Sequence, residues 1–446
     1  MKVSVIGTGY VGLVSGVCLA AKGHDVTCVD IDRAKVDRIN AADPPIYEIG
    51  LEQLMQQTVG RTLRATTDLP AAVHDSELSL IAVGTPFQRS AIDLKYIRTV
   101  ATQIGAVLKN KATYHTVVVK STVVPGTTDD VVLPQLELAS GKRAGPDFGV
   151  GMNPEFLKEG EAIADFMAPD RIVLGGIDER SIDTLADLYA VFPDVDKLRT
   201  DTRTAEMIKY TTNSLLATLI SFSNEIGNLC ARVGVDVTDA MTGVHLDKRF
   251  SPIMADGSRI HPASLVYLAA GCGFGGSCFP KDVKALIAYG EAAGSSMQLL
   301  RSVIAINEAQ PDKMLEMLKR HYPDLAGRRI AVLGMAFKPG TDDVRESPAL
   351  PVAAKLVAEK AIVTAYDPVA RHEAEAVLGT AVDFCNDLGA TIADVEAILI
   401  MTRWPEFETL PDILKNVSPP PLVIDGRRML AKTALPRYEG IGLGAS

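Results

Sequence analysis

The chain has 446 residues, 47% of them hydrophobic and 22% charged, with a formal net charge of −10. That length is too great for one ordinary core and implies two or three globular domains. No basic run offers phosphate contacts and no uncharged stretch is long enough for a bilayer, so neither nucleic acid nor membrane is expected as a partner.

Lys2 and the apolar, glycine-containing stretch up to Ala21 could pass for a secretory leader, but strand, loop and helix fit it better. The pattern predicts a buried strand over 2–6, a helix over 11–22 and a strand over 25–30. Alternation continues with a strand over 78–83, a helix over 93–109 and a strand over 115–120, which implies a parallel sheet covered on both faces. We assign 1–200 to this first domain.

Residues 203–233 contain no proline and carry apolar residues at helical spacing, so they predict one long helix that joins domains or forms an interface. A Gly/Pro-rich region follows over 243–280, then helices to about 320, making 201–320 a central region. A new strand over 328–334, a helix over 348–360, a strand over 361–367 and strands near 395–401 and 421–425 form a third region, 321–446. The fold class is α/β: two Rossmann-like doubly wound domains joined by a long central helix.

Gly7-Thr8-Gly9-Tyr10-Val11-Gly12 follows the first strand and opens the first helix. Gly7 permits the turn, Gly9 lets backbone approach a pyrophosphate, and Gly12 lets helix and sheet pack. Asp30, at the end of the second strand, supplies the carboxylate for ribose hydroxyls and repels a 2′-phosphate, so NAD is the expected cofactor.

The six cysteines form no C-x-x-C pair, which argues for free thiols in a reducing, cytoplasmic setting and against a metal site. Cys18, Cys28, Cys230 and Cys385 fall in strand or helix patterns and read as packing, as does Cys272. Cys278, in Gly273-Phe274-Gly275-Gly276-Ser277-Cys278-Phe279-Pro280-Lys281-Asp282, is different: Pro280 starts a helix over 281–291, leaving the thiol at a helix mouth beside Lys281, and both features favour a thiolate. Polar clusters at Lys120-Ser121-Thr122, at 153–160 and at Glu206, Lys209 and Asn213 stand in turns or on one helix; Lys209 and Asn213 share a face.

In combination these segments resemble the UDP-glucose/GDP-mannose dehydrogenase family. The pieces are GTGYVG at 7–12, VGTP at 83–86, KSTVVPGT at 120–127, NPEFLKEG at 153–160, PDRIV at 169–173, EMIKYTTNS at 206–214, GFGGSCFPKD at 273–282 and GMAFKPGTDDVRESP at 334–348. The resemblance implies NAD bound by the N-terminal domain, a nucleotide sugar bound by the C-terminal one, and a homodimer or higher homo-oligomer built on the long helix.

It also implies a four-electron oxidation of C6 from alcohol to carboxylate, with Cys278 as nucleophile, Lys209 and Asn213 as oxyanion donors, and Thr122, Glu159 and Asp282 in acid/base and water-positioning roles. Gly7, Gly9, Tyr10, Val11, Gly12, Asp30, Lys35, Thr85, Thr122, Glu159, Lys281 and Arg345 match cofactor-contacting positions. Glu155, Phe156, Leu157, Lys158, Lys209, Asn213, Phe274, Gly275, Lys338 and Arg427 match substrate-contacting ones.

The chain departs from the family pattern ahead of the cysteine. Leu246-Asp247-Lys248-Arg249-Phe250 and Ser258-Arg259-Ile260 both fit an arginine motif that reaches the partner subunit's substrate, because extra residues lie within 250–270. Arg259 is taken as substrate-binding, with Arg249 the alternative. UDP-glucose is the expected sugar, GDP-mannose or another nucleotide hexose the alternative. A two-electron hydroxyacid dehydrogenase with similar domain order is a different class that would need no cysteine.

Overall fold

The computed structural model describes residues 1–88 and 90–444 and divides into two units, Met1–Thr212 and Asn213–Ser446. The first unit is built on an eight-stranded sheet. Its spatial order is Lys197–Thr200, Ile172–Gly176, Gly149–Met152, Thr116–Val119, Leu78–Ile81, Lys2–Ile6, Asp25–Val29 and Leu63–Thr66.

Every residue of Leu78–Ile81 and Thr116–Val119 is buried, which is why these strands read as continuous apolar runs. The two faces sort by the strand period: Val3 and Val5 pack with Leu13 and Val17 of the helix Tyr10–Ala21, while Ile6 and Ile81 pack with Ile97 and Ile104 of the helix Lys95–Leu108. The sheet is not wholly parallel. Gly149–Met152 and Ile172–Gly176 pair antiparallel, against the parallel expectation.

The helix Thr202–Val233 begins within the first unit and continues into the second. In the second unit Val237–His245, Phe279–Ala292 and Gln298–His321 are further helices. A parallel six-stranded sheet follows, in the order Asp383–Phe384, Ile362–Tyr366, Arg329–Leu333, Ala397–Ile400, Leu422–Asp425 and Tyr438–Gly440. Two apolar clusters cover its faces, one holding Val332 and Leu399, the other Leu333 and Ile400.

Two local expectations are corrected. The Gly/Pro-rich region over 243–280 is not all loop: it takes in the end of the helix Val237–His245 and a 3₁₀ turn, Ala263–Tyr267. The cysteine helix starts at Phe279 rather than 281, with Pro280 inside its first turn, where a missing N–H costs nothing. Among the described residues no helix is long and apolar enough to cross a membrane, and no cluster of three metal-ligating side chains occurs.

Candidate active site

The glycine loop of the first unit is shaped by clashes. Gly7 has φ +99°, and a Cβ there would lie 2.7 Å from the Ala82 carbonyl oxygen. A Cβ on Gly12 would collide with the Gly7 carbonyl, whereas one on Gly9 would meet nothing within 4 Å. Gly9 therefore borders open space rather than packed protein. It is also the N-cap of Tyr10–Ala21 and supplies no side-chain cap, so the first N–H groups of that helix, including those of Tyr10 and Val11, face outward for an anion.

Asp30 follows the second strand and accepts from Thr8 N at 2.9 Å, Thr8 Oγ1 at 2.6 Å and Asp32 N at 3.0 Å. Burial works against its charge, but the Thr8 hydroxyl, the two N–H groups and nearby Lys35 hold its carboxyl below the usual range. An ionised carboxylate at a sheet end beside a glycine-lined opening fits an adenine dinucleotide with a free 2′-hydroxyl. Thr85 donates Oγ1 to the Thr122 carbonyl at 2.8 Å, joining two predicted cofactor positions.

The loop over 153–162 is organised by two buried carboxylates. Glu155 pairs with Lys209 at 2.9 Å, the side chains 5% and 4% exposed. Burial alone would raise Glu155; the Lys209 ammonium and the Leu157 N–H reverse that and lower it. Arg171 stacks on Phe156 at 3.9 Å from the ring centroid, and the Lys209 ammonium lies 5.5 Å from the same centroid. Lys158, which also borders a cavity beside this loop, pairs with Glu161 at 2.6 Å. That cavity, of about 280 Å³, is lined further by Lys120, Asn153, Phe156, Leu157, Arg171 and Tyr189. Burial brings the Lys120 ammonium down to about 8.

Glu48 is the second carboxylate, and sequence reasoning missed it. It accepts from Gly160 N at 2.7 Å, from Ala162 N at 2.9 Å and from the Tyr10 hydroxyl. It thus ties the glycine loop to the turn carrying half-buried Glu159. Nothing in its local pattern marks it, since both partners are distant in sequence. Glu206 accepts from Gly126 N at 2.5 Å and from Thr128 N and Oγ1 at 2.8 and 2.7 Å, anchoring the loop that begins at Thr122.

In the second unit Cys278 is the half-buried N-cap of Phe279–Ala292. Asp282, one turn on and buried, accepts from Asn213 Nδ2 at 2.6 Å and from Lys281 Nζ at 2.5 Å. Lys281 is therefore engaged by the Asp282 carboxylate. Ser277 Oγ lies 3.6 Å from the sulfur. Cys18, Cys28, Cys230 and Cys272 are buried, as packing roles require, while Cys385 is half-buried.

The cysteine loop rests on the second sheet's loops. Gly276 N donates to the Arg345 carbonyl at 2.9 Å, and a Cβ on Gly275 would collide with the Glu346 carbonyl. Phe274 and Phe279 meet edge to face at 6.0 Å. Arg427 donates to the carbonyls of Met401 at 2.6 Å and Gly273 at 3.0 Å. Lys338 lies 5.9 Å from the Phe337 centroid, and Arg345 pairs with Asp343 at 2.8 Å. Arg259 donates to the carbonyls of Leu246 and Ser251, and Arg249 pairs with Asp247, so both are held by their own loop.

The second sheet repeats the strand-then-Asp pattern, with a different outcome. Buried Asp367 accepts from the N–H groups of Met335, Ala336, Val369 and Ala370 and from Trp404 Nε1. Its oxygens are consumed by protein, unlike those of half-exposed Asp30.

A glycine-rich dinucleotide loop with an ionised carboxylate at the end of the next strand, in a chain whose other wound sheet has closed that position, is the pattern of an NAD-dependent oxidoreductase. Residues 1–193, 203–309 and 331–432 match the NAD-binding, central and UDP-binding domain models of the UDP-glucose/GDP-mannose dehydrogenase family, and the chain belongs to that family. It is thereby an NAD-dependent nucleotide-sugar dehydrogenase.

It is 41% identical to the UDP-glucose 6-dehydrogenase of Haloferax volcanii, over 99% of this chain and all of that one. It is 43% identical to a GDP-mannose 6-dehydrogenase of Pseudomonas savastanoi pv. phaseolicola, over 82% of this chain and 81% of that one. A UDP-glucose dehydrogenase structure from Pyrobaculum islandicum superposes with a TM-score of 0.90 at 40% identity, covering 99% of this chain and 98% of that one.

Proposed function

We propose that the protein oxidises C6 of UDP-glucose to the carboxylate, giving UDP-glucuronate through a thioester on Cys278. The observation that carries this reading is the half-buried thiol at the mouth of Phe279–Ala292, one turn from the Asn213–Asp282 hydrogen bond. Identities of 41% and 40% to UDP-glucose dehydrogenases over 99% of the chain support the sugar, against 38% over the same share to a GDP-mannose 6-dehydrogenase.

The glycine loop and Asp30 would hold two NAD molecules in succession, each supplying the acceptor for one hydride. The first hydride leaves C6 as the alcohol proton is taken up by a protein base, giving an aldehyde that stays bound. The Cys278 thiol adds to it as a thiohemiacetal, its proton passing to a neighbouring base, so that a second hydride can leave the same carbon. Water then attacks the thioester, expels the thiol and leaves the carboxylate. Asp282, fixed from two sides by Asn213 and Lys281, is placed to take the proton of the thiol or of that water.

Lys209 and Asn213 stand one turn apart on the helix Thr202–Val233 and serve the oxyanion; such a donor is worth about 3 kcal/mol. Thr122 and Glu159 complete the acid/base and water-positioning set. Glu155 to Lys158, Phe274, Gly275, Lys338 and Arg427 bind the sugar nucleotide, and Arg259 belongs with them. Lys281 and Arg345 join the cofactor set.

The chain acts as a homodimer or larger homo-oligomer. Leu215, Phe222 and Leu229 are exposed at intervals of two turns along one face of the long helix, a stripe suited to a second copy.

The test is turnover with UDP-glucose, GDP-mannose and other nucleotide hexoses, counting NADH per carboxylate. Two NADH per UDP-glucuronate with no free aldehyde is expected, and Cys278→Ser should bind both ligands yet form no carboxylate. One NADH per substrate, or normal turnover in that variant, overturns the mechanism. Preference for another sugar overturns the substrate alone.

A further inference from the structure

Residues 271–274 approach Cys278 outside any helix or strand, yet their backbone is held closely. Gly271 N donates to Asn224 Oδ1 at 2.8 Å, and Gln310 Nε2 donates to the Gly271 carbonyl at 2.8 Å. Cys272 N donates to the Gly426 carbonyl at 2.9 Å, and Arg427 Nη1 donates to the Gly273 carbonyl at 3.0 Å. Phe274 is held at both its groups by one side chain: its N–H donates to Asn307 Oδ1 at 2.8 Å, and Asn307 Nδ2 donates to its carbonyl at 3.0 Å.

A carboxamide carries donor and acceptor side by side, as a peptide group does, so Asn307 serves Phe274 as a neighbouring strand would. Gln310, one turn along the same helix, is itself oriented by Asn228 Nδ2 at 3.0 Å. Gly273 has φ +104°, and a Cβ there would lie 3.1 Å from Asn307 Oδ1, so the close approach of the amide depends on glycine. Beyond this clamp the next anchor is the Gly276–Arg345 hydrogen bond, two residues before the sulfur.

We infer that Asn307, acting beside the hold of Gln310 and Asn224 on Gly271, is a positioning residue for Cys278: its two-point grip on Phe274 sets where the thiol meets the half-oxidised carbon. The inference rests on the thioester reading above. A sulfur displaced by about 1 Å loses on the order of 100-fold in addition rate. NAD binding on the glycine loop of the first unit has no such dependence on the clamp. A loosened loop therefore lets aldehyde escape before it is trapped.

The test compares Asn307→Asp, which keeps size and acceptor but loses the donor at neutral pH, with Asn307→Ala, wild type and Cys278→Ser. Each is assayed with UDP-glucose and NAD in the presence of an aldehyde trap, and by hydrogen exchange of the peptide over 271–278. In both Asn307 variants kcat for carboxylate should fall by about 10- to 100-fold with KM for NAD within about threefold. Trapped aldehyde should appear, and exchange should quicken in that peptide while the other helices stay protected.

A kcat within about twofold of wild type, absence of trapped aldehyde, or unchanged exchange at 271–278 overturns the inference. General loss of protection in Asn307→Ala marks an unfolded variant, and Asn307→Asp then decides. Should Cys278→Ser turn over normally, the thioester reading falls and takes this inference with it. Should that variant be inactive while Asn307→Asp is intact, only the inference falls.

Discussion

Asn213 donates its carboxamide to Asp282 at 2.6 Å while Lys281 engages the other carboxylate oxygen at 2.5 Å. Removing the charge while keeping the shape separates proton transfer from geometry. Asp282→Asn should complete both hydride transfers once and then stall, because hydrolysis of the thioester has lost its base. Steady-state turnover should drop by about 100-fold or more. Rapid-quench mass spectrometry should find the acyl group on Cys278; a free thiol in the stalled enzyme would sink the assignment.

Lys209 and Glu155 form a buried pair at 2.9 Å. Breaking it strands a charge, so Lys209→Met should lose about 3–5 kcal/mol of stability. Adding Glu155→Gln should recover most of that loss without recovering turnover, because the oxyanion donor stays absent. Urea melts of both variants, run beside NADH assays, check the two halves. Recovered activity in the double variant would mean Lys209 is structural only.

Much of this was legible from sequence, for reasons that differ by residue. Gly7, Gly9 and Gly12 each answer a separate steric demand, so their spacing alone carries the loop. The position of Cys278 at a helix mouth was legible because Pro280 marks a helix start and glycines precede it. The antiparallel pairing of Gly149–Met152 with Ile172–Gly176 was not, since a fully buried strand shows the same apolar run in either direction. Nor were Asn224, Asn307 and Gln310: an isolated amide in a helix looks the same whether it faces water or a distant backbone. Glu48 was hidden likewise, its partners 112 and 114 residues away.

Asp30 is held ionised by Thr8 and by the Asp32 N–H. Asp30→Ala should raise KM for NAD by about 10- to 100-fold, the worth of a charged hydrogen-bond acceptor, and narrow the preference over NADP. Initial rates with the two dinucleotides test this. An unchanged ratio would place the ribose elsewhere.

Asp236 bridges Arg428 at 2.9 Å and Lys432 at 3.1 Å. Burial opposes its charge, yet the hydrogen bonds from Arg428 and the Thr238 N–H prevail, bringing its carboxyl down to about 2. The folded value lies below the unfolded one, so this stability is present above about pH 4 and is lost as pH falls toward 2, about 2 kcal/mol in all. Asp236→Asn should therefore be least stable relative to wild type at neutral pH, with the gap closing in acid. A gap that is constant from pH 7 to pH 3 would exclude an ionic origin.

Leu229 and Phe222 stand exposed two turns apart on the long helix. Leu229→Asp should shift the chain to a smaller species in light scattering at micromolar concentration, since a carboxylate in a paired apolar seam costs several kcal/mol. Unchanged mass would remove this face from the assembly.

Two wound sheets on one polypeptide raise a question of traffic: either could in principle attract the same dinucleotide. The five donors converging on Asp367 answer it by leaving no oxygen for a ribose. The end of the second sheet thus lacks the half-exposed carboxylate that Asp30 presents at the first, and the two sheets are not interchangeable as dinucleotide sites.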